Sequence, residues 1–137
     1  MPKKMMKIKR FAIAHLPWIL MMAAISVQSS ISDIALPDIG FDPMDKLVHF
    51  VVFGFLGILM VRGFHFQPLV SNKLTGYILI IILGILFSAI DEWHQSFVPG
   101  RYADIWDWAA DTAGIIVFSL ILFYIYNRKG FIPEKKP

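Results

Sequence analysis

The sequence predicts an all-α protein: an integral membrane four-helix bundle with its N and C termini in the cytoplasm. Three observations predict it. The 137-residue chain is 57% hydrophobic and has a mean hydropathy of +0.63, well above an ordinary soluble domain. Its apolar residues come in long blocks instead of at amphipathic spacing. Its basic residues gather at the two ends and in one loop, which is how membrane topology is written. That distribution accounts for the pI of about 9.3 without nucleic-acid binding, which is not expected. There are no cysteines, so disulfides, thiol catalysis and Cys-based metal sites are excluded.

Residues 1–10 are a basic, cytoplasmic segment carrying Lys3, Lys4, Lys7, Lys9 and Arg10. Residues 11–28 are almost wholly apolar. A cleaved signal peptide shares this basic-then-apolar order, but the run is long enough to span a bilayer and a retained helix is expected. Pro17 is placed near its first turn, where proline is tolerated. Residues 29–44 form a polar connection with Asp33, Asp38 and Asp42 and no Lys or Arg. The second span covers 45–61, with Gly54 and Gly57 offering small surfaces for close packing. A short loop with Arg62, His65 and Lys73 follows, and His15 and His65 are expected to be interfacial bystanders. The third span, 74–97, is extremely apolar and then abruptly polar. A turn around Pro99 and Gly100 leads to the fourth span, 104–126, polar first and apolar afterwards. Residues 127–137 are a basic cytoplasmic tail with Arg128, Lys129, Lys135 and Lys136. One transmembrane domain, 11–126, is thus flanked by two basic ends, with no internal repeat. The positive-inside rule directs the Asp-rich first loop and the Pro99–Gly100 turn outward.

The stretch 89–114 crowds ionisable groups between two apolar segments. At a rise of about 1.5 Å per residue, Asp91 lies roughly 25 Å along from Leu74, His49 roughly 21 Å from Gly63, and Asp111 roughly 23 Å from Tyr126. Three helices therefore bring ionisable groups to one depth, about a turn below the outer interface. Their faces agree too. Asp45 and His49 are four apart, as are Asp91 and Gln95, with His94 three from Asp91. Asp104, Asp107 and Asp111 follow three-and-four spacing, continued by Gly114. A lipid-facing charge at mid-bilayer costs about 2.5–3.5 kcal/mol on insertion scales, so these stripes must face inward, to pair or to line a wet cavity.

A structural polar plug is one reading: Lys46 and Arg101 neutralise carboxylates, and His49 donates to Asp45. Against it, Asp45, Asp91, Glu92, Asp107 and Asp111 outnumber the two cations. A surplus of carboxylates beside histidine suits a hard or borderline cation, or proton transfer. No tight ligand spacing such as HExxH is present. Metal ligands are therefore left unassigned, and a divalent cation is only a candidate cofactor. Ser29, Ser30 and Ser96 are expected to cap helix ends. Trp93, Tyr102, Trp106 and Trp108 fit an aromatic belt at the membrane boundary.

The pattern Asp45-Lys46-x-x-His49-Phe50, Asp91-Glu92-x-x-Gln95, Pro99-Gly100-Arg101, Asp107 and Gly114 resembles the VanZ-like family of small bacterial membrane proteins. Ser29 and Ser30 at the end of the first span fit as well. The similarity runs from about residue 14 to residue 122. Where the family commonly has Asn, this chain has Asp111, which makes the site more acidic. The resemblance implies a multi-pass protein of the bacterial plasma membrane, tied to the cell envelope through a member linked to teicoplanin resistance. It supplies no agreed reaction.

Together these readings lead to an expected site for the headgroup of an envelope lipid or lipid-linked precursor, entering sideways from the bilayer. Asp45, His49, Asp91, Glu92 and Asp107 are the expected catalytic or ligand groups. Lys46, Gln95, Arg101 and Asp111 are the expected substrate-binding groups, with Arg101 clamping a phosphate. Three alternatives stay open: non-enzymatic binding of drug or lipid, handling of ions or protons, and a structural accessory of an envelope complex. Ion handling would favour a homo-oligomer, because four helices are few for a transporter. Whether turnover occurs is left open.

Overall fold

The computed structural model describes residues 3–32 and 42–128. These form four α-helices: α1 (Lys3–Ser29), α2 (Pro43–Phe66), α3 (Lys73–Gln95) and α4 (Ile105–Arg128), with no strand among the described residues. The acidic loop residues Asp33 and Asp38 and the tail residues Lys129, Lys135 and Lys136 lie outside the described residues. Even the shortest helix, with 23 residues, is about 35 Å long and exceeds the roughly 30 Å hydrocarbon core. All four are long and apolar enough to cross a membrane, so the all-α, multi-pass reading holds.

Local chemistry sets the helix ends. The Asp42 carboxylate accepts from Met44 N–H at 2.9 Å, with Pro43 in the first turn of α2. Asn72 caps α3 by accepting from Thr75 N–H at 3.0 Å. Asp104 accepts from Trp106 N–H at 2.8 Å and starts α4. Between α3 and α4 the chain turns tightly, and Gly100 takes a φ of 81°, a left-handed value that glycine adopts without steric cost. This short link holds Asp104 against the end of α3.

The helices pack unequally. α2 and α4 make the most extensive pair, because glycines remove the side chains between them. A Cβ on Gly54 would lie 2.7 Å from the Phe118 ring, one on Gly57 2.8 Å from Ser119 Oγ, and one on Gly114 would run into the Phe50 carbonyl oxygen. The small surfaces at Gly54 and Gly57 thus serve α4 specifically. The apolar core joins Ile25 of α1 and Phe53, Leu56 and Met60 of α2 to Tyr77 and Ile80 of α3 and Ile115 of α4. Within its apolar window α2 is 44% buried and α1 only 17%, which makes α2 the central helix and α1 the peripheral one. Large apolar side chains such as Phe55, Leu79, Leu86 and Leu120 are exposed, as suits a lipid-facing surface.

Two expectations about the end of the bundle away from the acidic cluster are corrected. α1 begins at Lys3, so Pro17 lies inside the helix and not in its first turn. An interior proline leaves the carbonyl four residues earlier without its helical donor. That carbonyl, Ile13 O, receives Arg62 Nη1 at 3.5 Å. His15 is no bystander either: it is 1% exposed. Trp18 Nε1–H donates to His15 Nδ1 at 3.0 Å, so the ring proton sits on Nε2 and is donated to Gln67 O at 3.0 Å. Beside it, a Cβ on Gly63 would lie 2.6 Å from Ala14 O, so the α1 and α2 backbones nearly touch there. His65, likewise, lies 3.0 Å from Tyr77 OH and stacks on Tyr126 at 4.1 Å.

Candidate functional site

The end of α1, the start of α2, the end of α3 and the start of α4 meet at one end of the bundle, and each brings polar side chains there. Their geometry divides the cluster into three parts.

The first part is neutralised. Lys46 Nζ lies 2.5 Å from Asp104 Oδ2, 2.5 Å from Asp107 Oδ1 and 3.2 Å from Asp45 Oδ2. The Lys46 side chain is 13% exposed and that of Asp107 12%, so this pair is desolvated, whereas Asp45 and Asp104 reach water. Asp104 precedes α4. Burial alone would raise its carboxyl pKa, but the hydrogen bonds from Lys46 and Trp106 N–H outweigh that and hold it below the usual carboxylate range. Here Lys46 pairs with carboxylates, as one part of the plug reading expects.

The second part is a chain of hydrogen bonds across three segments. Ser29 Oγ–H donates to Asp91 Oδ2 at 2.6 Å, and Gln95 Nε2–H donates to the same oxygen at 3.2 Å. Gln95 Oε1 then accepts from Arg101 Nε and Nη2 at 3.2 and 3.0 Å. Four-residue spacing on α3 puts Asp91 and Gln95 on one face, and the tight turn returns Arg101 to them. Ser29 was expected to cap a helix end. Instead it is buried and spends its hydroxyl on Asp91, while Ser30 Oγ–H bonds back to Ser26 O at 2.7 Å. Ser29 is the residue that sequence reasoning missed as a member of the site. Its only signal was a place in the family-like pattern, because α1 carries no polar stripe.

The third part centres on the fully buried Asp111. His49 Nδ1–H donates to Asp111 Oδ1 at 3.0 Å, whereas Asp45, the partner expected from spacing, is 4.0 Å from Nε2. The four-residue spacing does share a face, but the close α2–α4 seam brings Asp111 nearer. Glu92 Oε2 accepts from Asp104 N–H at 2.9 Å, and its Oε1 has only a long 3.5 Å bond from Gln95. Donor atoms of His49, Glu92 and Asp111 lie within 4.8 Å of one another, as do those of Asp45, His49 and Asp107. Asp111 is fully buried, and its Oδ2 has no hydrogen-bond partner.

Beside these groups lies a partly open cavity of about 490 Å³. Met21, Ala24, Ile25, Val48, Val52 and Phe53 give it an apolar wall. Ser29, Asp45, His49, Asp91, Gln95 and Arg101 give it a polar end. Of the expected site residues, Asp45, His49, Asp91, Gln95 and Arg101 line this cavity, and Lys46, Glu92, Asp107 and Asp111 are not among its lining residues. Trp93, Tyr102 and Trp106 are well exposed around the same end, while Trp108 is partly buried.

Four membrane-length helices enclosing a carboxylate-rich cluster beside an amphipathic cavity define a small multi-pass membrane protein with a polar site inside the bundle. The VanZ/LLP1 family profile matches residues 4–126, across all four helices, and the chain belongs to that family. No curated protein and no solved structure matches it.

Proposed function

We propose that this protein binds the headgroup of an envelope lipid or lipid-linked precursor in the cavity between α1, α2 and α3, at the outer face of the bacterial plasma membrane. The observation that carries the reading is the lining of that cavity: an apolar wall continuous with a polar end holding Arg101, His49 and two carboxylates. A lipid has this same division into tail and head. Arg101 reaches a phosphate from the turn, with Gln95 orienting its guanidinium and Asp91 orienting Gln95. His49, Asp91 and Asp45 are the groups placed for acid–base work on the headgroup. Lys46 and Asp107 stand outside the cavity lining: the Lys46 charge is spent on Asp45, Asp104 and Asp107. The family tie to glycopeptide resistance fits a protein that handles the envelope components such drugs recognise or reach.

The test is lipid retention. Protein extracted in mild detergent is analysed by native mass spectrometry after exposure to vesicles of phosphatidylglycerol and phosphatidylcholine. The native chain is expected to retain an anionic lipid, and Arg101→Ala to retain at least tenfold less while keeping its thermal midpoint. Equal retention by both would defeat the proposal. If Arg101→Ala does not fold, Arg101→Gln decides, because it keeps an amide donor and removes the charge: a folded Arg101→Gln that is equally loaded would reduce the cluster to a plug.

A further inference from the structure

The headgroup reading faces an electrostatic objection: Asp45, Asp91, Glu92, Asp107 and Asp111 surround the place where an anion must arrive, and Lys46 is already enclosed by three carboxylates. His49 at the cavity wall, with Glu92 and Asp111 outside the lining, answers it. We propose that His49, Glu92 and Asp111 form a site for one divalent cation, of the borderline-to-hard class that includes Zn²⁺ and Mn²⁺.

The donor set fits that class. One imidazole and two carboxylates suit Zn²⁺ or Mn²⁺, and the chain has no thiolate to attract softer metals. Ligand atoms about 2.0–2.2 Å from an ion are at most about 4.4 Å apart, and here they already lie within 4.8 Å of one another, so small side-chain rotations close the set. The 3.0 Å separation of His49 Nδ1 and Asp111 Oδ1 fits two ligands about 90° apart on arms of about 2.1 Å, and a tetrahedral ion would spread them to about 3.4 Å. An independent observation points the same way. Asp111 is fully buried on α4 with Oδ2 unpartnered, and a buried carboxylate oxygen left so carries a desolvation penalty that a cation removes. Glu92 Oε1, held only by a 3.5 Å bond, is the second oxygen available.

His49 belongs to two triads, Asp45–His49–Asp107 and His49–Glu92–Asp111, and a neutral imidazole offers one lone pair. Lys46 selects between them. Its ammonium pairs with both Asp45 and Asp107 and would repel an ion placed there. The cation therefore takes Nδ1, the nitrogen facing Asp111. The ring proton moves to Nε2, which faces Asp107 at 3.9 Å and Asp45 at 4.0 Å. These carboxylates then orient the ring from outside the ligand set, as acceptors commonly do for metal-bound histidine. Three protein ligands leave room for oxygens of a phosphate-bearing headgroup. That last role rests on the proposed function; the ion site does not.

The experiment separates the two. Detergent-purified full-length protein is stripped with chelator, then titrated with Zn²⁺ and with Mn²⁺ in the absence of lipid, and bound metal is counted by elemental analysis. One ion per chain is expected. Asp111→Asn and Glu92→Gln should each weaken it at least tenfold. Asp104→Asn removes the same charge from the cluster outside the triad and should change affinity less than threefold. Absence of stoichiometric binding by the native chain overturns the site, as does an equal loss in all three variants, which would mark diffuse attraction to negative charge. If Asp111→Asn does not fold, Glu92→Gln decides. Lipid retention, measured on metal-loaded protein and again in chelator, reads the other proposal: retained lipid without ion uptake overturns the cation site alone, and ion uptake with no lipid retained even by the metal-loaded protein supports the cation site and defeats the headgroup reading.

Discussion

Lys46→Ala tests how the cluster divides between support and ligand binding. The ammonium serves three carboxylates, and they are not equivalent. Asp45 and Asp104 have side chains 49% and 36% exposed, so water screens them and each pair is worth about 0–1 kcal/mol. Asp107 is 12% exposed at 2.5 Å, and stranding one member of a buried pair typically costs about 3–5 kcal/mol. The expected loss is therefore dominated by Asp107. At about 3–4 °C per kcal/mol for a chain of this length, the thermal midpoint falls by about 9–20 °C. The assay is intrinsic tryptophan fluorescence on heating in a mild detergent. A second change, Asp107→Asn, removes the stranded charge and should recover at least half of the loss in a double-mutant cycle. The reasoning is refuted if Lys46→Ala melts like the native chain while lipid retention disappears, because Lys46 would then be a ligand-binding residue.

Other expectations follow from the same geometry. Gly114→Ala gains about 1 kcal/mol of helix propensity but drives a methyl group into the Phe50 carbonyl. Overpacking of about 1–3 kcal/mol or more should win, and a raised midpoint would count against the tight α2–α4 seam. Ser29→Ala leaves Asp91 Oδ2 with the longer Gln95 bond only. It should lower the midpoint by an amount equivalent to about 1–2 kcal/mol, and an unchanged midpoint would contradict it. Asp104 has a depressed carboxyl pKa in the folded chain, so its stabilisation is full above the ordinary carboxylate value and fades as pH falls through the folded value. The midpoint difference between the native chain and Asp104→Asn should be present at pH 7 and shrink as the medium is acidified below the ordinary carboxylate value; a difference that does not diminish on acidification is inconsistent with this assignment.

Hydropathy and charge were enough to read the four helices and the convergence of Asp91, His49 and Asp111, because rise per residue and bilayer thickness are nearly constant. The placement of Pro17 failed for a related reason. Hydropathy marks where lipid begins, whereas the helix continues into the basic segment and makes Pro17 interior. The partner of His49 was misjudged because same-face spacing cannot report how closely a neighbouring helix approaches, and that distance is set by Gly114 meeting Phe50. Ser29 was weakly legible: a single hydroxyl at a helix end looks the same whether it caps its own backbone or reaches a carboxylate on another helix. His15 went unrecognised because its partners, Trp18 and Gln67, straddle two helices.

The two ends of α1 are fastened by different means. At Gly63 and Ala14 its backbone lies against that of α2, with His15 clasping Gln67, and this contact cannot yield without dismantling the packing. Beside the cavity, Ser29 to Asp91 and Ser30 to His94, 3.0 Å apart, are hydroxyl links of a kind that a polar guest can exchange for its own. A rod held at one end by backbone packing and at the other by side-chain hydrogen bonds costs less to detach at the second, and a lipid entering the proposed site would meet the bundle there.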